Sequence, residues 1–206
     1  MVCVLMVGYS RATTRRPCSR AREGAPTMST QLILRLAHPL YEQVRADLTR
    51  PHPFAAERVG FLFTKAGTGP GGSILLFPVD YLPLQDEQYV DENDPLIGAA
   101  ISGDALRSAM QRVLDTGMGA LHVHMHAHHR GRPRFSPTDW HDLPDIVQSL
   151  KNANSRLIHG ALLLSQDMAT GVLWLPDQDV YKPLVPRVSI VGSPLRICPG
   201  GEYRER

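Results

Sequence analysis

Histidine recurs at every second position in HVHMHAHH, and the segment HVHMHAHHRGRPRFSPTDW, residues 122–140, holds five of the chain's nine histidines. Residues two apart in an extended strand share a face. His122, His124, His126 and His128 would then line one side, with neighbouring Cα atoms roughly 6.6 Å apart. Imidazoles so spaced can converge on one ion at Zn–N bonds of about 2.0–2.1 Å. A hydrolytic zinc needs three protein ligands and one open position. SPTD, residues 136–139, offers the third ligand: Ser136 suits a helix N-cap, Pro137 the first helical position, and Asp139 the first turn. The loop HRGRPRF, residues 129–135, spans the gap between strand and helix. A plainer reading also fits these residues, a polar strand followed by an ordinary capped helix. The combination of HxH, a short loop and an acid on a rigid helix start favours the metal.

The elements that must position this group follow from periodicity. LILRLA, 32–37, alternates as a strand does, and His38-Pro39 opens a helix over PLYEQVRADLTR with Leu40, Val44 and Leu48 at helical spacing. Pro51-His52-Pro53 ends it. RVGFLFTK and SILLFPVDYL are apolar runs joined by AGTGPGG, 66–72, which predicts a hairpin. Residues 85–100 are acidic and irregular and read as a loop. SGDALRSAMQRVLDT, 102–116, is a helix with Leu106, Met110 and Val113–Leu114 on one side, stopped by Gly117. GALHVHMHAH is a strand, SPTDW opens a helix that Pro144 interrupts, and DIVQSLKNAN is a further helical piece. LIHGALLLS and GVLWLP pair across QDMAT, and RVSIVG, 187–192, is the last strand. Helices alternating with strands predict an α/β fold, a mixed β-sheet flanked by helices.

Composition bounds the rest. With 206 residues, 43% hydrophobic and 20% charged, the chain suits one globular domain, and a net charge of +2 shows no strong polyanion preference. No apolar run approaches the ~18 residues of a membrane span, so no membrane association is expected. Residues 1–27 carry five arginines (11, 15, 16, 20 and 22) against the single acid Glu23 and show no helical or strand period. They read as a disordered or spurious N-terminal extension, with the domain running over 28–198 and a frayed tail over 199–206. Cys3, Cys18 and Cys198 form no CxxC pair, which fits a reduced, cytoplasmic setting rather than a disulfide framework.

His126-Ala127-His128, then Ser136, then Asp139 spells HxHx7SxxD. That spacing resembles the signature of the JAMM metalloproteases, the JAB/MPN domain family, in its compact prokaryotic form. The family pattern adds an upstream glutamate before a Gly-containing apolar strand, and Glu57 in ERVGFLF fits. The resemblance implies a JAB/MPN-like domain. Zn²⁺ would be held by His126, His128 and Asp139, with Glu57 as general acid–base and Ser136 donating to an oxyanion. It leaves His122 and His124 as same-face neighbours satisfied in the core. His129 departs from the family, where proline commonly follows the second histidine. The implied activity is zinc-dependent hydrolysis of an isopeptide or peptide bond at the C-terminus of a ubiquitin-like protein, with that protein or its conjugate as partner. The tail would add as a strand beside the sheet, and Arg130, Arg132 and Arg134 would either meet acidic groups of a partner or simply keep an exposed loop soluble. Two alternatives stand beside this one, a non-catalytic JAB/MPN-type binding or scaffold module and a RadC-like protein. The near-neutral charge and the lack of a basic patch interleaved with aromatics argue against nucleic acid. The absence of a PCxxC pair argues against a zinc deaminase.

Overall fold

The computed structural model describes residues 31–91, 98–176, 187–192 and 196–198. The expectations for residues 1–27, for the tail 199–206 and for the middle of the acidic segment 85–100 lie outside the described residues. An eight-stranded mixed sheet runs in the order β10-β9-β1-β3-β2-β6-β7-β8. Its strands are β1 (Leu32–Ala37), β2 (Val59–Thr68), β3 (Ile74–Pro83), β6 (Gly119–Met125), β7 (His159–Leu164), β8 (Ala169–Trp174), β9 (Arg187–Val191) and β10 (Arg196–Cys198). A separate two-stranded ribbon joins β4 (Tyr89–Val90) to β5 (Ala100–Ile101). Three helices complete the fold, α1 (His38–Leu48), α2 (Gly103–Thr116) and α3 (Pro137–Ala153).

The sheet is mixed because β1 runs parallel to both β3 and β9 and β6 runs parallel to β7, while β2–β3, β2–β6 and β7–β8 are antiparallel. The hairpin read from the Gly-rich connection is present as β2–β3, with Gly71 and Gly72 at φ of 66° and 74°, where a side chain is disfavoured. The acidic segment, expected to be wholly irregular, contributes the β4–β5 ribbon at its ends.

Alternation along the strands sorts side chains onto two faces. Leu121, Val123 and Met125 of β6 join Leu34, Leu62 and the α1 residues Tyr41, Val44 and Leu48 in one core cluster. Ala120 of β6, with Phe61 and Phe63 of β2, packs instead against Ala105, Ala109 and Val113 of α2. His122 and His124 share the phase of Ala120 and so face the side covered by α2 and α3. Of the residues predicted on the inner side of α2, Val113 is buried, together with Ala105 and Ala109. Leu106 and Met110 are only partly buried, and Leu114 is exposed.

Helix α3 runs unbroken through Pro144, where the sequence suggested two pieces. Proline in a helix interior costs about 3 kcal/mol. Leu143, Val147 and Leu150, all within 1% of full burial, contribute roughly 1.5–3 kcal/mol each and hold both halves on one side. β10, three residues paired antiparallel to β9, has no alternation long enough to read from sequence. No helix among the described residues is long and apolar enough to cross a membrane.

Candidate metal centre

Strand register brings the far-apart parts together. In the antiparallel β2–β6 pair, Val59 lies opposite His124 and Phe61 opposite His122. Continuing that register by two residues sets Glu57, just before β2, opposite His126, just after β6. The side chains meet there, with His126 Nε2 3.4 Å from Glu57 Oε1 and His124 Nε2 4.0 Å from Glu57 Oε2. Among the described residues, Glu57, His124 and His126 form a group whose ligand atoms all lie within 4.8 Å of one another, close enough to hold a metal ion.

Asp139 closes on the same place from the start of α3. Its Oδ1 lies 3.5 Å from His124 Nε2, while Oδ2 accepts the Ser136 backbone N–H at 2.6 Å. Ser136 Oγ in turn accepts the Asp139 N–H at 3.1 Å, completing a capping box. The cap therefore fixes one carboxylate oxygen and aims the other at His124. Phe135 meets the His124 ring edge-on, 6.0 Å between centroids, and Trp140 likewise at 5.4 Å, so the loop reaches α3 against a packed aromatic pair.

The structure brings together Glu57, His126, Ser136 and Asp139 as the sequence reading expected, but it puts His124 where that reading had His128. β6 ends at Met125, and the chain turns over 126–129, closed by the His129 N–H on the His126 carbonyl at 3.1 Å. The alternation that would carry His128 onto the shared face stops there, and His128 is exposed. His124, expected to be satisfied in the core, is 1% exposed, with neither ring nitrogen in a hydrogen bond. The spacing from the second clustered histidine to Ser136 is thus two residues longer than HxHx7S. The turn at 126–129 and Gly131 at φ 84° take up the excess.

That loop is held by the turn between β7 and β8, a contribution that no motif announced. The Gln166 side-chain N–H donates to the Ala127 carbonyl at 2.9 Å, and Arg130 Nε donates to Gln166 Oε1 at 3.0 Å. Asp167 Oδ1 accepts the Gly131 N–H at 2.7 Å, and Ser165 Oγ donates to the Gly131 carbonyl at 2.7 Å. The His126 N–H donates to the Leu164 carbonyl at 2.9 Å. Gly98 was missed as well. Its carbonyl accepts the Glu57 N–H at 3.0 Å, and a Cβ there would stand 3.2 Å from Glu57 Oε2.

Burial sets the protonation states. It pushes the Glu57 carboxyl up to about 7, with the charge of Asp139 adding to the effect. Burial pulls His124 down to about 3, helped by His126, and does the same to His122, helped by His124. His126 is also lowered, chiefly by burial. At neutral pH all three imidazoles are therefore neutral and keep the lone pair that a metal needs. A tetrahedral centre with bonds near 2.05 Å has ligand–ligand edges of about 3.3 Å. The His124–Asp139 separation of 3.5 Å is close to that edge, and the ligand atoms of His124 and His126 lie within 4.8 Å of one another. The residues present could thus hold a divalent cation, and neither His124 nitrogen makes a hydrogen bond within the protein.

The centre opens into a pocket of about 480 Å³ between the sheet, α2 and α3, with His122 among its lining residues. No protein-family model matches the chain, and no curated protein matches it.

Proposed function

We propose that this protein is a zinc-dependent hydrolase of the JAMM type that cleaves an isopeptide or peptide bond at the C-terminus of a ubiquitin-like protein. One observation carries this reading: Glu57, His124, His126, Ser136 and Asp139, drawn from three separate parts of the chain, line one pocket. The ligands would be His124, His126 and Asp139, the first two as neutral imidazoles and the third as a carboxylate fixed by the helix cap. Zn²⁺ bound there supplies Lewis-acid activation of water and of the scissile carbonyl.

The chain's own groups do the rest. Glu57 is the carboxylate that lies beside both histidines, and burial raises it toward neutrality. It takes the proton of the attacking water and returns it to the leaving nitrogen. Ser136 Oγ uses a lone pair to cap Asp139. Its hydrogen is then free to donate to the oxyanion, so one hydroxyl serves as both cap and donor. An extended tail would lie along the pocket wall formed by Gly98–Ile101, where backbone groups of the ribbon can pair with it. Of the loop arginines, Arg130 is tied to Gln166 and Arg134 is exposed to a partner.

The test is incubation of the full chain with a panel of ubiquitin-like fusions, with and without chelator, read by mass. A chelator-sensitive cleavage product is expected. The Glu57→Gln protein should bind zinc yet lose about 10²–10⁴ in rate, the usual contribution of a general base. A zinc-loaded protein that cleaves none of the panel would defeat the hydrolase reading in favour of a binding module.

A further inference from the structure

Of the histidines crowded into residues 122–129, His124 and His126 are the two grouped with Glu57 among the described residues. His128 is their near competitor. It keeps the two-residue period, and with His126 it fits the HxHx7SxxD spacing. It also lines a cavity that Glu57 and His126 line. Yet its side chain is exposed, so something in the fold chooses between two histidine pairs.

The choice is made where β6 ends. A strand that ran on to His128 would need backbone partners, and both neighbours have turned away. On the β7 side the parallel pairing closes with Met125 opposite Leu164, and the His126 N–H takes the Leu164 carbonyl. The chain then turns at Ser165, whose N–H donates to the Met168 carbonyl at 2.9 Å and whose Oγ accepts the Met168 N–H at 3.0 Å. On the β2 side the Glu57 N–H is taken by the Gly98 carbonyl. The turn also grips the departing loop. Gln166 donates through its side chain to the Ala127 carbonyl at 2.9 Å and through its backbone to the His129 carbonyl at 3.2 Å. Arg130 Nε on Gln166 Oε1 fixes which end of that amide faces the loop. Ser165 Oγ and Asp167 Oδ1 hold the Gly131 carbonyl and N–H. Apart from the Arg130 contact, each bond falls on a main-chain group of the loop, and those on Ala127 and His129 flank His128. The turn therefore fixes the path of the backbone on both sides of the rejected histidine.

We propose that the β7–β8 turn selects the metal's ligand pair: Gln166 and Asp167 hold loop 127–131 on the path that leaves His124 and His126 at the centre and keeps His128 out of it. Both are positioning residues, and neither belongs to the ligand group. The selection rests on the metal centre of the hydrolase reading and makes no demand on the substrate. With the turn's grip removed, His128 contributes to metal binding, which it does not do in the intact protein.

The experiment measures the Zn²⁺ Kd of the full chain by competition with a chromophoric chelator. In the wild-type background His128→Ala should leave Kd unchanged. Gln166→Ala combined with Asp167→Ala should weaken zinc about 10–100-fold, the usual effect of losing groups that orient metal ligands, with melts in chelator reporting the fold. In that released background His128→Ala should weaken zinc by about threefold more, a coupling of the size found between residues that share partners. Asp167→Asn keeps the oxygen that accepts from Gly131 and should bind zinc as wild type does. Gln166→Glu keeps the acceptor for Arg130 but loses the donor to Ala127, and should match Gln166→Ala. Should the double variant not fold, the single variants Gln166→Ala and Asp167→Ala carry the same comparison. An unchanged Kd on release, or a His128 contribution as absent there as in wild type, overturns the selection. A His128 contribution that appears only on release, in a protein that cleaves no ubiquitin-like fusion, supports the selection and counts against the hydrolase.

Discussion

Replacing His124 by leucine separates the metal's contribution from that of the fold. Leucine fills a similar volume and has no polar atom. In the metal-free protein the imidazole is 1% exposed with neither nitrogen in a hydrogen bond, and a buried unsatisfied polar group costs about 1–3 kcal/mol. His124→Leu should therefore stabilise the chelated protein by roughly that amount, or about 2–12 °C in Tm at ~2–4 °C per kcal/mol for a domain of this size. In zinc the order reverses. Wild type gains about 2.7 kcal/mol at metal a hundredfold above Kd, and the variant, short of a ligand, loses that gain. Lowering pH sharpens the contrast. His124 is depressed to about 3, so the unfolded chain binds the extra proton between there and about 6.5. The metal-free wild type loses stability as pH falls through that window. The variant sheds this contribution, so its advantage in chelator should widen from pH 7.5 to 5.5. Glu57, raised to about 7, acts oppositely in both proteins, and the causes of its shift, burial and Asp139, are kept in the variant. Thermal melts of wild type, His124→Leu and the exposed control His128→Ala, in chelator and in zinc, are sufficient. The reasoning fails if His124→Leu melts lower than wild type in chelator, if it keeps the full zinc shift, or if His128→Ala loses that shift.

Two further outcomes follow from the same geometry. Ser136→Ala removes both cap and oxyanion donor, so it should cost about 1 kcal/mol of stability and about 10²–10³ in kcat. Ser136→Asn, a good cap without the hydroxyl, should restore the melt but not the rate, and recovery of both would reduce Ser136 to a cap. Gly98→Ala places a methyl 3.2 Å from Glu57 Oε2, so it should displace that carboxylate and lower kcat while zinc stoichiometry stays at wild type; an unchanged rate would show that Gly98 does not set the Glu57 position.

How much of this was legible in the sequence depended on whether a feature was local. Ser136 and Asp139 were legible because a capping box is written in four consecutive residues and needs nothing else. β1 and the β2–β3 hairpin were legible because alternation and a Gly-rich turn are also local. Glu57 was found only through a resemblance. What brings it to His126 is the β2–β6 register, which joins residues 57 and 126 across the sheet and leaves no trace in the residues beside it. The histidine pair shows the limit most clearly. Four histidines alternate, and period alone gives each the same claim to the shared face. What decides among them is where the strand stops, and that is set by the turn at 126–129 and by Gln166 and Asp167, some forty residues downstream of the strand they brace. A strand one turn longer would have presented His128. The strand as it folds ends at Met125, so the pair slides back by one period and the loop to Ser136 grows by two residues. Because the sheet repeats every two residues, such a slide keeps each imidazole on its face and changes only which two are deep enough to meet Asp139 and Glu57. A metal motif carried on alternating histidines can therefore shift by two in sequence with its geometry intact, provided that the following loop lengthens to match.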